Sequence, residues 1–140
     1  MKTFRTAPLF LALGLLLFSS TTLLQSCAAS YDATGLQNAT NLSTKLTTLM
    51  GKAATSTYAS NKSDIEAVTA DLVKAEQHST AQKRNAEIAK SWMILRTEQV
   101  EPFLLRWKEG KQDKDFVKEA TAQVQKSLDA IKKAEQGKNK

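Results

Sequence analysis

The chain has only one cysteine, Cys27, and only one histidine, His78, among 140 residues. A single cysteine cannot form a disulfide within the chain, and a lone histidine cannot build a metal site. The sequence also has no glycine-rich loop that would cradle a phosphate. Catalysis needs a nucleophile beside a base, a carboxylate pair or a metal cluster. We therefore expect a protein that is not an enzyme and that has no cofactor or metal.

Glycine and proline are scarce as well, with five and two residues. Architectures made of many strands joined by tight turns depend on these two residue types, so their scarcity favours long uninterrupted helices. The apolar fraction of 41% and the charged fraction of 24% are ordinary for a folded domain. The composition therefore predicts one all-α domain.

The net charge gives little indication of a partner. The chain carries a formal charge of +6, of which Lys2 and Arg5 contribute two. No acidic residue precedes Cys27, so the part that follows it retains +4. Such an excess is too small to indicate a polyanionic ligand, and we expect no nucleic-acid partner.

The N-terminal segment has the layout of a secretory signal. Residues 1–7 contain Lys2 and Arg5, residues 8–18 are apolar except for Gly14, and residues 19–26 are weakly polar and small. The apolar run is about a dozen residues, whereas a helix that spans a bilayer needs roughly 20. The segment is therefore predicted to be a signal peptide rather than a permanent membrane span.

The end of this segment, Leu24-Gln25-Ser26-Cys27, has an aliphatic residue three positions before the cysteine and a small residue directly before it. It resembles the lipobox of bacterial lipoproteins. The resemblance implies that residues 1–26 are removed, that Cys27 becomes the first residue, and that fatty acyl chains such as palmitate anchor it to a membrane. The resemblance covers residues 1–27 and implies a processing route, not an activity.

The resemblance also bears on location. In bacterial lipoproteins an acidic residue after the cysteine often retains the product in the inner membrane, and Ala28 occupies that position here. By analogy we expect the periplasmic face of the outer membrane if the source has two membranes. The alternative is cleavage after Ser30, with Ala28 and Ser30 as the small residues, which would release a soluble protein without Cys27.

The remaining chain divides into a lipidated tether (residues 27–31), a helical bundle domain (residues 32–136) and a frayed basic tail (residues 137–140). Apolar residues recur at intervals of three and four throughout the bundle domain, as on one face of a helix. The residues that we expect to be buried are Leu46, Leu72, Trp92, Val124 and Leu128.

The spacing of helix signals predicts three long helices. Ser63 and Glu66 have the pattern of a capping box at the start of the second helix, Gly110 is placed to end it, and Asp113 to cap the last. A polar stretch at residues 80–85, or a kink at Pro102, would divide the middle helix. The predicted fold is therefore an antiparallel bundle of three long helices, or four if the middle helix breaks at either place.

Two groups of residues are candidates for catalysis. His78 lies away from the apolar stripe, so a solvated position on the surface is expected. Glu98 and Glu101, near Arg96, lie on one helical face and could form an acid–base pair, but this spacing is common on exposed helices. We therefore assign no catalytic residue.

The aromatic residues suggest a binding surface. Trp92, Phe103, Trp107 and Phe116 are all the Trp and Phe residues after the signal segment. Trp and Arg are favoured in interface anchors, so Trp107, Arg106, Phe103 and Lys108 are the predicted partner-binding residues. The alternative is that these rings fill the core, which we favour for Trp92 and Phe116. For Trp107 we expect partial burial, with the ring edge at the surface.

These observations predict a non-enzymatic, lipid-anchored protein of the cell envelope that binds another envelope protein. The alternatives are a structural tether between membrane and peptidoglycan and, last, an enzyme. The chain resembles the murein lipoprotein in its lipobox cysteine and in its terminal lysine, Lys140, and that resemblance implies attachment through this lysine. The lysines near the C-terminus are equally compatible with a solvated end: Lys132, Lys133, Lys138 and Lys140.

Cys27→Ser is expected to leave the precursor unprocessed or to release it from the membrane, because no run after residue 27 is as apolar as residues 8–18. One acyl chain binds a membrane only marginally, so stable attachment needs several. Intact-mass analysis of the membrane fraction measures both cleavage and lipidation, with Ala28→Ser as the matched control. A lipid-free product that starts at Tyr31 would contradict the prediction.

Overall fold

The computed structural model describes residues 30–138. The predicted signal peptide, the lipidation site at Cys27 and the terminal Lys140 lie outside the described residues. No helix among the described ones is long and apolar enough to cross a bilayer.

The described residues form five α-helices: α1 (Ala33–Gly51), α2 (Lys62–Ala81), α3 (Ala86–Ile94), α4 (Glu101–Glu109) and α5 (Lys114–Gln136). Two 3₁₀ turns, Lys52–Ala54 and Ala59–Asn61, connect α1 to α2. A π-helical segment, Leu95–Val100, joins α3 to α4 without a break. Residues 86–109 therefore form one continuous rod, and the fold is all-α with four helical rods.

The expectation of three long helices is wrong, because the middle helix breaks after Ala81. Gln82 adopts an extended conformation (φ −77°, ψ 132°), and Arg84 lies in the left-handed region (φ 61°). Asn85 supports this turn by donating from its side-chain amide to the Ser79 hydroxyl (2.7 Å). The polar stretch at residues 80–85 is therefore the break, as the four-helix alternative predicted.

Pro102 does not end the rod. A proline has no amide to donate, and its ring crowds the carbonyl four residues earlier. In the π-helical turn before it, the amide of Glu101 donates to Arg96 O, five residues back. Such a wider turn is a common way for a helix to accommodate an irregularity, and here it carries the chain past the proline.

Of the two predicted N-terminal caps, Asp113 forms and Ser63 does not, and Asp32 provides a further cap. Asp32 accepts a hydrogen bond from the amide of Thr34 (3.0 Å), and Asp113 accepts from Asp115 (2.9 Å). Each carboxylate satisfies an amide that the first turn leaves unpaired. The capping box at Ser63 is wrong, because α2 begins one residue earlier, at Lys62, without a side-chain cap.

Hydrogen bonds and ion pairs fix the helix directions. Ser43 in α1 donates to Gln125 in α5 (2.9 Å), and Lys45 pairs with Asp71 in α2 (2.6 Å). Residues that come later in the chain than Ser43 and Lys45 contact residues that come earlier than Gln125 and Asp71. Both α5 and α2 therefore run antiparallel to α1. The pairs that show this shift are Ala53 O with Gln112 N (2.9 Å) and Lys52 with Asp64 (2.8 Å).

The rod of residues 86–109 closes the arrangement between α2 and α5. Arg96 contacts Glu76 of α2, and Gln99 exchanges hydrogen bonds with Ser127 of α5 (2.9 and 3.1 Å). All five residues that were expected to be buried are buried, with exposures of 0–1%. They belong to one hydrophobic core to which every rod contributes.

The C-terminal segment is packed at its start rather than frayed. Lys138 is only 8% exposed, and its ammonium group pairs with the fully buried carboxylate of Glu135. A Cβ atom on Gly35 would lie 2.7 Å from Glu135 Oε1, so glycine allows α5 to approach α1 here. Lys138 is therefore packed against the domain, whereas the prediction placed it in a frayed tail.

Leu72→Ala is expected to lower the free energy of unfolding by about 2–5 kcal/mol, because it leaves a cavity in a close-packed core. Leu72 is fully buried, whereas Leu105 is 66% exposed. Leu105→Ala is the matched control and should change stability by less than about 0.5 kcal/mol. Chemical denaturation measures both values, and equal losses would contradict the described core.

Candidate functional site

The aromatic cluster that the sequence indicated is mostly core. Trp107 is fully buried, and Phe103 is 3% exposed. The indole Nε1 of Trp107 donates to the carbonyl of Ser56 (3.0 Å), which satisfies the only polar atom of the ring. The expectation that a Trp107 ring edge lies at the surface is therefore wrong, and neither ring is available to a partner.

The rings pack against one another at one end of the bundle. Tyr58 and Trp107 make an edge contact with centroids 6.0 Å apart, and Phe103 stacks on Phe116 at 5.8 Å. Arg106 covers the Phe116 ring, with its guanidinium carbon 4.1 Å from the centroid. Of the four predicted binding residues, only Arg106 and Lys108 are exposed.

Lys108 borders a groove between α2 and α4, which we call the α2–α4 groove. Its volume is about 780 Å³. Apolar residues contribute from both walls, among them Ile65, Ala70 and Val73 in α2 and Leu104 and Leu105 in α4. The groove exists because α2 packs along α3 but makes few backbone contacts with α4.

Leu105 stands out on this surface. It is 66% exposed, more than any other large hydrophobic residue among those described; Met93 follows at 44%. Leu105 is not among the predicted binding residues, although the sequence contains a signal for its exposure. Phe103, Leu104 and Leu105 are consecutive, and three consecutive helical residues cannot all face one core. One of them had to point outward or lie at the edge.

Four charged residues line the groove at its two ends. The contact between Tyr58 and Trp107 places Lys108 near the start of α2, and hence near Glu66. At the other end Arg96 binds both Glu76 and Glu101, which places Glu101 near the α2 residues that follow Lys74. Glu66 therefore lies across from Lys108, and Lys74 across from Glu101. Within residues 30–138 no ion pair joins the two walls of the groove.

Arg96 holds one corner of the groove in place. Its guanidinium donates to Glu76 and to Glu101, both at 2.5 Å. These hydrogen bonds raise the pKa of Arg96, so it stays charged. Glu98, by contrast, is exposed and lines a different, smaller pocket with Pro102 and Phe103. The structure thus pairs Glu101 with Arg96 rather than with Glu98.

His78 is not a solvated surface residue, contrary to expectation. Its Nε2 lies 2.6 Å from Asp32 Oδ2, and its side chain is 29% exposed. Burial raises the pKa of Asp32, but hydrogen bonds from His78 and from backbone amides outweigh it, so that pKa is lowered. The pair joins the start of α1 to the end of α2. No group of three or more potential metal ligands occurs within the described part of the chain.

Comparisons of the chain with protein-family models, with curated proteins and with solved structures find no match. The lining of the α2–α4 groove combines apolar side chains with carboxylates, ammonium groups, the hydroxyls of Tyr58 and Thr69 and the amide of Gln77. A concave, mainly apolar surface with a few polar groups is typical of a binding site.

Trp107→Ala is expected to lower the free energy of unfolding by about 3–5 kcal/mol, as aromatic truncations in cores do. Trp107→Phe keeps most of the apolar volume and removes the hydrogen bond to Ser56, so its cost should be smaller, about 1–3 kcal/mol. Thermal and chemical denaturation of both variants measure the difference. An unchanged melt for Trp107→Ala would contradict the burial of this ring.

Proposed function

We propose that the protein is a non-enzymatic, lipid-anchored component of the cell envelope, held on a membrane through Cys27, that binds a helix of an envelope protein in the α2–α4 groove. The observation that carries the binding role is the groove itself, with the exposed Leu105 on its wall. The lipobox resemblance of residues 24–27 supports the anchoring role.

The dimensions of the groove favour a helix as its occupant. Its α2 wall runs from Ile65 to Gln77, which are three turns apart and separated by about 18 Å along the helix axis. The residues of this wall recur at intervals of four, as in Ile65, Thr69 and Val73. An amphipathic helix laid between two helices is an established mode of recognition, in which its apolar face fills the groove.

The lining has the anatomy of a protein interface. Apolar side chains form its centre, and the four charged residues lie towards its ends. A partner that covers the centre excludes water from Leu105, while the ends stay solvated. Isolated exposed hydrophobic residues are common on protein surfaces, but Leu105 lies beside an apolar groove rather than alone.

The proposed anchor restricts which proteins can reach the groove. Only five residues separate Cys27 from the first residue of α1, Ala33. Even a fully extended segment of this length spans only about 20 Å. Lipidation at Cys27 would therefore keep the bundle close to the membrane surface, where its partners would also be attached or embedded.

Leu105→Asp is expected to weaken partner binding by about 2 kcal/mol or more, because it places a charge at the centre of the apolar contact. A photo-reactive residue in place of Ala70, an exposed residue of the α2 wall, would capture the bound protein in intact membranes. Met93→Asp is the matched control, since Met93 is exposed but does not line the groove.

The proposal is supported if cross-linking at position 70 occurs in the parent and in Met93→Asp but is lost in Leu105→Asp, with unchanged melts. The same cross-linker at Ala130, which is exposed on α5, should capture none of the partner. Equal cross-linking at both positions, or no effect of Leu105→Asp, would show that the groove is not the binding surface.

A further inference from the structure

We infer that the α2–α4 groove binds a second copy of this chain, so that the α4 wall of each copy packs against the α2 wall of the other in a two-fold symmetric dimer. This inference rests on the proposed function, because it names the partner that covers the groove. The structure offers two independent reasons, one of shape and one of charge.

The first reason is that one surface carries both a projecting apolar side chain and an apolar groove. Leu105 is 66% exposed and belongs to the α4 wall of the groove. In a symmetric dimer the same surface must be complementary to itself. A surface with Leu105 on one wall and the smaller Ala70 on the other meets this condition. The leucine of each copy can pack in the space beside the alanine of the other copy.

The second reason is the arrangement of the four charges. Along α2 the sign is negative at Glu66 and positive at Lys74; along α4 it is positive at Lys108 and negative at Glu101. A two-fold axis that runs along the groove places the α2 wall of one copy over the α4 wall of the other. Glu66 then faces Lys108 of the second copy, and Lys74 faces Glu101 of the second copy. Each of these four charged residues, which we call the corners of the groove, therefore faces a charge of opposite sign.

These charges remain available in the single chain. Glu66 is paired only with Lys62, at 3.7 Å and with both side chains at least 67% exposed, so the pair is weak. Glu101 is bound by Arg96, but Arg96 also binds Glu76, so the three groups together keep one negative charge. The side chain of Glu101 is 44% exposed. Each corner therefore presents its own sign to a second copy.

The same axis brings the apolar parts together. Leu105 lies between Glu101 and Lys108 on α4, and Ala70 lies midway between Glu66 and Lys74 on α2. Placing the charged corners opposite one another therefore places Leu105 over Ala70 and Val73 of the second copy. Oppositely charged ends thus fix the register in which the leucine enters the groove.

The area buried in this contact is small, so we expect the dimer to be weak. A groove three turns long buries less than the roughly 800 Å² per partner of a standard interface. We therefore expect dissociation constants in the micromolar range or weaker for the free protein. Confinement of lipidated molecules to one membrane raises their effective concentration, so a weak contact would suffice there.

Sedimentation of the full chain in detergent, over a range of protein concentrations, tests the dimer. Leu105→Asp should weaken association by about tenfold or more, whereas Met93→Asp should leave it unchanged. Leu105 and Met93 are both exposed, so neither change should disturb folding, which circular dichroism verifies.

Charge reversals test the symmetry itself. Glu66→Lys and Lys108→Glu should each weaken association, because each creates like-charge contacts. The double variant Glu66→Lys/Lys108→Glu restores opposite charges and should return to within about threefold of the parent. The control, Glu66→Lys/Lys74→Glu, has the same net charge as the parent but brings like charges together at all corners. It should stay impaired.

The outcomes separate this inference from the proposed function. Association that is lost in Leu105→Asp and restored in Glu66→Lys/Lys108→Glu supports the dimer. A chain that stays monomeric at all concentrations, yet still cross-links a different protein through position 70, overturns the dimer and leaves the proposed function intact. No cross-link of any kind at position 70 overturns both. If both double variants restore association equally, the pairing of Glu66 with Lys108 and of Lys74 with Glu101 across the dimer is overturned.

Discussion

The inward orientation of Trp107 fixes the rotation of α4 and, with it, the character of the surface. Trp107 is fully buried and donates its indole hydrogen to Ser56 O in the segment between α1 and α2. Successive residues of a helix turn by about 100°, so a residue two positions earlier points to nearly the opposite side. Because Trp107 faces the core, Leu105 has to face outward. One interior hydrogen bond and its packing therefore determine which residue the groove displays.

The irregular parts of the rod formed by residues 86–109 place α4 relative to α2. The break at residues 82–85 reverses the chain so that α3 packs against α2. The π-helical segment then carries the rod past Pro102, and α4 continues with few backbone contacts to α2. The α2–α4 groove, three helical turns long, is the space left between these two helices. The Glu76–Arg96–Glu101 contacts close one end of it.

Polar pairs lie at the end of the bundle far from Trp107, where the chain emerges from its proposed anchor. Asp32 caps α1 and also pairs with His78, while the buried Glu135 pairs with Lys138 beside Gly35. Removing one partner of the buried Glu135–Lys138 pair would leave an uncompensated charge. The Asp32–His78 contact joins the start of α1 to the end of α2, and the side chain of Glu135 lies against Gly35 in α1, close to the point from which a lipid on Cys27 would hold the domain.

Much of the fold followed from local patterns. The apolar spacing identified Leu46, Leu72, Trp92, Val124 and Leu128 as core, and Asp113 as a cap, because periodicity and capping depend on residues a few positions apart. Local patterns were insufficient where a distant partner decided the outcome. Ser63 had the sequence of a capping residue, yet α2 began before it, and His78 seemed solvated until folding placed it against Asp32.

The sequence by itself determined the all-α class, the core positions and the resemblance of residues 24–27 to a lipobox, since each is a property of neighbouring residues. Only the tertiary structure decided that Trp107 is interior and Leu105 exterior. Both lie in one short helix rich in apolar residues, and their spacing is compatible with either side facing inward. The choice depends on Ser56, 51 positions away in sequence, which supplies the acceptor for the indole. The groove is likewise a relation between α2 and α4, and no segment of the sequence contains it alone.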